Sequence, residues 1–153
     1  MVKTIDVVEF EIGGTRYALD ILLAREIVEM IPITPVPRAP PHIAGIINLR
    51  GEITNIINLT TLLQLPDRGD VMNRKIIVLV PEVASGSNLG IIVDDVHSVM
   101  QIAEDDVETM DASLCHEAFV KGIIKIGGDD IKEKGLVIWI DMTKVLGGLA
   151  TAG

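Results

Sequence analysis

The sequence is poor in aromatic side chains and in basic residues. Aromatic residues make up 3% of the 153 residues, against 48% hydrophobic residues in all, so Ile, Val and Leu have to build the core. The 13 Lys and Arg residues are outnumbered by 22 Asp and Glu residues, which gives a formal net charge of −9. Because an acidic surface repels nucleic acid and anionic membranes, neither is expected as the main partner.

Cysteine is scarce as well. The single cysteine, Cys115, excludes an intramolecular disulfide framework and a metal knuckle built from several cysteines. No basic segment followed by an apolar segment marks a signal peptide. Apolar runs such as residues 76–81 are far shorter than the roughly 20 residues that span a bilayer. We therefore expect a soluble intracellular chain without membrane insertion, of a length that suits one domain.

Short β-branched runs predict a mainly β fold. Residues 7–12 alternate apolar with acidic side chains, and Gly13-Gly14 separates them from a second alternating run at 17–21, which predicts a hairpin. Further strands are predicted at residues 25–30, 44–49, 52–57, 75–80, 89–93, 96–102, 119–126 and 136–140.

Helices and prolines account for the remaining patterned segments. Asn58 and Asp141 are placed to cap short helices that run to Leu63 and Leu146. Five prolines between residues 32 and 41 predict an ordered, extended connection, with a disordered linker as the alternative.

The chain carries a divergent internal repeat. The matching segments are 17–28 with 89–100, 45–47 with 122–124, and 58–63 with 141–146. The repeat predicts two halves of about five strands, each ending in a short helix and closing into a small barrel, at roughly 15–70 and 71–140. The N-terminal strand and the C-terminal helix would complete the fold, and the groove between the barrels would be the default binding site. Chance similarity is the alternative, because few matched residues are identical.

No constellation of side chains predicts catalysis. Asp94, Asp95 and His97 could form a metal site or the centre of a small metal-dependent hydrolase, but the spacing typical of zinc ligands is absent. The alternative is two turn aspartates and a strand histidine. Cys115 and His116 are adjacent, so on a strand they would point to opposite faces and not form a nucleophile–base pair. We therefore predict a binding module without enzymatic activity, metal or cofactor.

The most distinctive segment covers residues 33–37 and 43–53. Its residues 48–51 read Asn-Leu-Arg-Gly and predict the tip of a β-hairpin, with Arg50 projecting towards a partner. The alternative is that Arg50 pairs with a carboxylate of the same chain, such as Glu26.

These segments resemble the CheW family of chemotaxis coupling proteins. The likeness runs from residue 7 to residue 146, and its most specific positions are Thr34, Pro37, Gly45 and Asn48-Leu49-Arg50-Gly51. The resemblance implies a single CheW-like domain over residues 1–153. Its fold would be mainly β, with two five-stranded SH3-like β-barrels packed about a shared hydrophobic core and with short helices.

The resemblance further implies a non-catalytic adaptor. Such a protein joins the cytoplasmic tip of chemoreceptors to the regulatory domain of the histidine kinase CheA. It would be cytoplasmic, held at the inner face of the membrane through receptor arrays. A CheW-like scaffold in another two-component pathway, such as surface motility, is the alternative.

A receptor-facing groove is also implied by the resemblance, which assigns it Val8, Ile21, Ala24 and Ile27, with Glu26, Asn48 and Arg50 at the rim. An aliphatic groove would accept the apolar face of a receptor helix, while the planar fork of an arginine would fix its register. The alternative is that Val8, Ile21 and Ile27 are ordinary core residues. The resemblance leaves the kinase-contact residues unknown.

Overall fold

A computed structural model of the chain describes residues 3–62, 74–84, 88–103, 107–108, 120–126 and 135–142, most of them in strands. The strands are β1 (Thr4–Ile12), β2 (Thr15–Asp20), β3 (Ala24–Glu29), β4 (Ile43–Leu49), β5 (Glu52–Asn58), β6 (Lys75–Leu79), β7 (Leu89–Val93), β8 (Asp95–Ala103), β9 (Val107–Glu108), β10 (Val120–Ile126) and β11 (Gly135–Ile140). The helical elements are α1 (Leu59–Leu62) and two 3-10 turns at Ile21–Leu23 and Pro81–Ala84. Across these residues no helix is long and apolar enough to cross a membrane. The predicted mainly β class is confirmed.

The strands form two sheets. One has six strands in the order β8-β1-β2-β11-β10-β9, and the other has five in the order β3-β6-β7-β5-β4. Since β9 contributes only two residues, each sheet rests on five principal strands. The predicted number of strands per sheet is thus confirmed, whereas closure into barrels about a shared core stays a prediction.

Strand register confirms the internal repeat. The β4–β5 pairing shifts register between Ile43 and Gly45, and the β10–β11 pairing shifts at the matched positions Val120 and Gly122. A β-bulge at the same place in both halves indicates that the halves share a backbone geometry and that their likeness does not arise by chance. The two halves therefore share their backbone irregularities as well as their order of elements.

The parallel pairings of the two sheets are equivalent as well. In one sheet Ile56 of β5 lies opposite Gly90 of β7, and in the other Trp139 of β11 lies opposite Ala18 of β2. Residues 56 and 139 occupy the same position in the repeat, as do residues 18 and 90. Each parallel pair therefore joins a strand of one half to a strand of the other.

The compact units of the structure differ from the predicted boundaries of 15–70 and 71–140, because each half of the chain contributes strands to the sheet of the other. One unit comprises Met1–Phe10, Thr15–Ile21 and His97–Gly153, and the other comprises Glu11–Gly14 and Leu22–Val96. The physical reason is that β1 and β2 hydrogen-bond in the sheet of β8, β10 and β11, whereas β6 and β7 join β3, β4 and β5. Sequence similarity between the halves reports the order of the strands and not their partners.

The first unit buries the tryptophan Trp139 and the acid Glu9. Trp139 donates its indole N–H to Asp20 Oδ1 at 2.7 Å, so the polar atom of this large side chain is satisfied. Glu9 is only 5% exposed, although its strand alternates acidic with apolar residues, and its carboxylate lies 3.3 Å from Arg16 Nη1. Both faces of β1 are covered at this point. The apolar core comprises Val7, Ala18, Ile102, Ile124, Val137 and Trp139.

The second unit has an aliphatic core that the proline-rich segment helps to cover. Ile31 and Ile33 pack against it, and Thr34 exchanges two backbone hydrogen bonds of 2.9 Å with Ile46. The predicted ordered connection is thus confirmed, because a disordered linker would make neither contact. The buried residues of this core are Ile47, Ile56, Ile76, Val78 and Ile92.

Predicted local signals are confirmed at the first hairpin and the first helix cap. Gly13 and Gly14 turn between β1 and β2 with φ of 60° and 84°. Asn58 Oδ1 accepts the N–H of Thr61 at 3.4 Å and so caps α1. At the second cap Met142 is helical, and the rest of the helix predicted after Asp141 lies outside the described residues.

Tyr17 offers a test of packing in the first unit. Burial raises the pKa of its phenol above the ordinary 10.0, although a hydrogen bond with Thr15 acts in the opposite direction. Because Tyr17 is the only tyrosine, tyrosinate absorbance reports this group alone. We expect its titration midpoint to lie above 10.0 in the folded protein and to fall on addition of denaturant.

The same shift makes stability depend on alkaline pH. Above pH 10 the unfolded chain releases the Tyr17 proton before the folded chain does, so the free energy of unfolding falls as the pH rises. Tyr17→Phe should remove this part of the slope. A folded-state midpoint at or below 10.0 would contradict the burial of the hydroxyl.

Candidate functional site

The tip of the β4–β5 hairpin presents an arginine on a tight turn. Leu49 pairs with Glu52, which leaves Arg50 and Gly51 as a two-residue turn with φ of 54° and 86°. Positive φ at both positions matches the twist of the flanking strands. Asn48 Oδ1 accepts the N–H of Gly51 at 2.9 Å and closes the turn. The predicted hairpin tip is confirmed, and the Arg50 side chain is 70% exposed.

Arg50 forms a two-pronged ion pair with Glu26. Its Nη1 lies 2.9 Å from Glu26 Oε1 and its Nη2 lies 2.5 Å from Oε2. The alternative of an Arg50–Glu26 pair is therefore confirmed. The pair uses only part of the guanidinium, because arginine carries five N–H donors in a fixed plane. Within the part of the chain that the structure describes, its other N–H groups are left for a partner.

A second ion pair lies beside the first and was missed from the sequence. Arg25 Nη1 lies 3.9 Å from Glu52 Oε2, which also accepts a hydrogen bond from Asn88 Nδ2 at 3.2 Å. Arg25 and Glu26 are consecutive, yet both reach the hairpin, because the β3–β6 register shifts between Ala24 and Glu26. Such a bulge re-aims side chains that a regular strand would send to opposite faces.

We call Arg25, Glu26, Arg50 and Glu52 the charge quartet. It links β3 with the β4–β5 hairpin, although β3 and β4 are the two edges of the five-stranded sheet. The sheet therefore curls enough to bring its edges within ion-pair distance at this end. Exposed ion pairs contribute only about 0–1 kcal/mol each to stability. The quartet thus matters more for orienting donors and acceptors at the surface than for holding the sheet together.

The quartet surrounds a small polar cavity of about 80 Å³. Pockets that enclose organic ligands usually measure roughly 300–1,000 Å³. The cavity is therefore too small for a cofactor, and the surrounding surface offers hydrogen-bonding groups to a larger partner. Its lining residues are Arg25, Glu26, Leu49, Arg50, Glu52, Thr54, Val78 and Asn88.

Five of the seven predicted receptor-contact residues belong to the second unit. Ile27 is 43% exposed on the edge strand β3, and Ala24 is half-buried at the start of that strand. Ile27 is thus no ordinary core residue. Glu26 and Arg50 meet in the ion pair, whereas Asn48 bonds to the turn.

The other two predicted contacts, Val8 and Ile21, belong to the first unit. Val8 is 2% exposed in β1, which supports its alternative place in the core. Ile21 is half-buried in the 3-10 turn after β2. Their role in receptor contact stays a prediction.

Asp94, which sequence reasoning considered as a metal ligand, binds protein groups. Its Oδ2 accepts the N–H of Gly13 at 2.7 Å, and its Oδ1 lies 3.5 Å from Arg74 Nε. The backbone N–H of Asp94 donates to the carbonyl oxygen of Glu11 at 2.9 Å. Asp94 directly follows β7, and it therefore ties the tip of the first hairpin to the end of that strand.

The other residues of that hypothesis give it no geometric support. Asp95 Oδ1 accepts the N–H of Val96 at 2.9 Å, and His97 is exposed on β8. Among the described residues, no group of three His, Cys, Asp or Glu side chains could hold a metal ion. Cys115 and His116 lie outside the described residues.

The two sheets share their strand order and have equivalent registers, and the two halves of the chain exchange strands between them. The protein is therefore a duplicated, mainly β protein. Its candidate site is a surface of paired charges. The sequence matches the profile of the CheW-like domain over residues 6–149. The chain belongs to the CheW-like domain family, and the resemblance noted from the sequence is confirmed.

Relatives of the chain carry the same family name. Chemotaxis protein CheW of Thermotoga maritima is 29% identical over 144 residues, which cover 94% of this chain and 89% of that protein. Chemotaxis protein CheW of Treponema pallidum is 36% identical over 106 residues, or 67% of this chain and 61% of that protein. The crystal structure of the scaffolding protein TtCheW from Thermoanaerobacter tengcongensis is 32% identical with a TM-score of 0.75, covering 92% of this chain and 86% of that one.

Proposed function

We propose that this chain is a non-catalytic chemotaxis adaptor that couples chemoreceptors to the histidine kinase CheA. The observation that carries the proposal is the family match, which spans residues 6–149 and so nearly the whole chain. Relatives that cover most of this chain are named chemotaxis proteins, and a solved relative is named a scaffolding protein. A scaffold acts through contact geometry, so a mainly β protein with a surface of paired charges suits the role.

The charge quartet is the centre of the receptor-facing surface in this proposal, to which the family resemblance adds the exposed Ile27. Ile27 offers exposed aliphatic area on the edge strand β3, and Arg50 offers planar N–H donors at the hairpin tip. An amphipathic receptor helix could lay its apolar face on Ile27 while a carboxylate or carbonyl group meets Arg50. The family resemblance also assigns Ala24 and Asn48 to this surface, and it assigns Val8 and Ile21 of the first unit to receptor contact. The adaptor would then work in the cytoplasm, within receptor arrays.

Arg50→Glu tests both the function and the site. The new carboxylate would face Glu26 and Glu52, so the tip would lose its donors and repel its neighbours. We expect at least a tenfold weaker entry into complexes with receptor-containing membranes and CheA, which is about 1.4 kcal/mol. Co-sedimentation measures the assembly, and the kinase activity of CheA reports its control.

Lys75→Glu is the matched control. It makes the same charge change in the same sheet, where Lys75 pairs with the exposed Glu29 at 3.1 Å, and it should leave assembly near the unmodified level. An Arg50→Glu protein that assembles and controls the kinase normally would refute the site. If the unmodified protein fails to join the complex, the adaptor proposal itself is wrong. Co-purification of a receptor from another two-component pathway would redirect the proposal to that pathway.

A further inference from the structure

We infer that Asn48 is a positioning residue for Arg50 and does not itself contact the receptor. The inference rests on the proposed function and refines the role of one residue in the receptor-facing surface. It starts from a hydrogen bond within the hairpin tip, from Gly51 N–H to Asn48 Oδ1 at 2.9 Å. That bond spans Leu49 and Arg50 and ties Asn48 of β4 to the second residue of the turn.

Arg50 needs such a tie because its backbone is held in the left-handed region. Its φ is 54°, a conformation that L-residues with a Cβ avoid because of steric crowding. Two-residue turns of this type usually place asparagine or aspartate, not arginine, at the first position. The Asn48 bond compensates for this unfavourable residue by satisfying the donor at the second position, Gly51.

The turn conformation decides where the guanidinium lies. If φ of Arg50 returned to negative values, the direction of its Cβ would change and the side chain would leave Glu26. The ion pair needs both nitrogens in place at once, at 2.9 Å and 2.5 Å, so it tolerates little rotation. Asn48 therefore sets the position from which Arg50 presents its remaining N–H groups to a receptor.

Two substitutions at position 48 separate positioning from contact. Asn48→Asp keeps an oxygen that accepts the Gly51 N–H but loses the amide donors, whereas Asn48→Ala loses both. We expect Asn48→Ala to weaken receptor binding about fivefold and Asn48→Asp to stay within about twofold of the unmodified protein. If the amide donors contact the receptor, Asn48→Asp should be as weak as Asn48→Ala, which would overturn the inference.

A double-mutant cycle with Arg50→Ala gives a second criterion. If Asn48 acts only through Arg50, Asn48→Ala should cause no further loss of binding once Arg50 is alanine. Additive losses in the double variant would mean that Asn48 acts independently of Arg50, and positioning would be wrong.

Two spectroscopic measurements on the isolated protein need no receptor. Hydrogen exchange of the Gly51 amide should be slow in the unmodified protein and in Asn48→Asp, and faster in Asn48→Ala. The Arg50 side-chain resonance in Asn48→Ala should move to the position seen in Glu26→Gln, in which the ion pair is broken. An unchanged Arg50 resonance in Asn48→Ala would refute positioning, even if the adaptor proposal itself failed in the co-sedimentation assay.

Discussion

Gly45→Ala is expected to destabilise the protein by about 4 kcal/mol, through a strained backbone and an overlap that cannot relax locally. Gly45 has φ of 147°, which side chains other than hydrogen rarely permit. A Cβ at this position would lie 2.3 Å from the carbonyl oxygen of Thr34 and 2.7 Å from Ile33 Cγ2. Chemical denaturation followed by far-ultraviolet circular dichroism measures the loss.

The overlap is severe because the nearest atom belongs to the backbone. Thr34 is held by two hydrogen bonds to Ile46, next to Gly45, so its carbonyl oxygen cannot retreat without breaking them. Ile33 would move with it, and Ile33 packs against the core of the second unit. The substitution is therefore expected to lift the proline-rich segment from β4.

Gly51→Ala is the matched control in the same hairpin. It also places a side chain at positive φ, here 86°, but its Cβ would meet no atom within 4 Å. We expect a loss of about 1 kcal/mol from backbone strain alone. Equal losses at the two positions would show that contact with Thr34 contributes nothing, and the argument from close approach would be wrong.

The strands and their duplication were accessible from sequence because both depend on local patterns. Alternating runs, turn glycines and the Asn58 cap report preferences of neighbouring residues, and the structure bears them out. The matched glycines at 45 and 122 even mark equivalent bulges. Equivalent positions of a duplicated fold need similar residue types, so the two halves could be aligned although few of their residues are identical.

The exchange of strands between sheets was not accessible in this way. β2 presents the same alternation whether it pairs with β11 or with a strand of its own half, because pairing depends on the path of the connecting chain. The burial of Glu9 could not be predicted from the sequence for a similar reason. An alternating strand predicts one exposed face, but β1 is covered on both.

The candidate site shows the same division. Opposite charge was enough to offer a pair between Arg50 and a carboxylate such as Glu26 as the alternative to contact with a partner. The Arg25–Glu52 pair needed knowledge of the bulge at β3, since a regular strand would point Arg25 away from Glu26. Backbone irregularities of this kind leave no pattern in hydropathy.

Asp94→Ala is expected to lower the free energy of unfolding by about 2–3 kcal/mol, because it removes a hydrogen bond and an ion pair at a largely buried position. The side chain is 13% exposed and accepts the Gly13 N–H at 2.7 Å. It also lies 3.5 Å from Nε of Arg74, which is itself only 25% exposed. The first hairpin would lose its tie to Asp94, and Arg74 would lose one anionic partner. Thermal and chemical unfolding measure the change.

Asp95→Ala is the matched control, and the contrast between the two substitutions decides between structure and metal binding. Asp95 is exposed and accepts the N–H of its neighbour Val96, so we expect a loss within about 0.5 kcal/mol. If both acids and His97 held a metal, chelation would destabilise the unmodified protein and neither acid would be dispensable. Unequal losses that a chelator leaves unchanged would make Asp94 a structural residue. Equal losses that depend on metal would instead support a metal site at these residues.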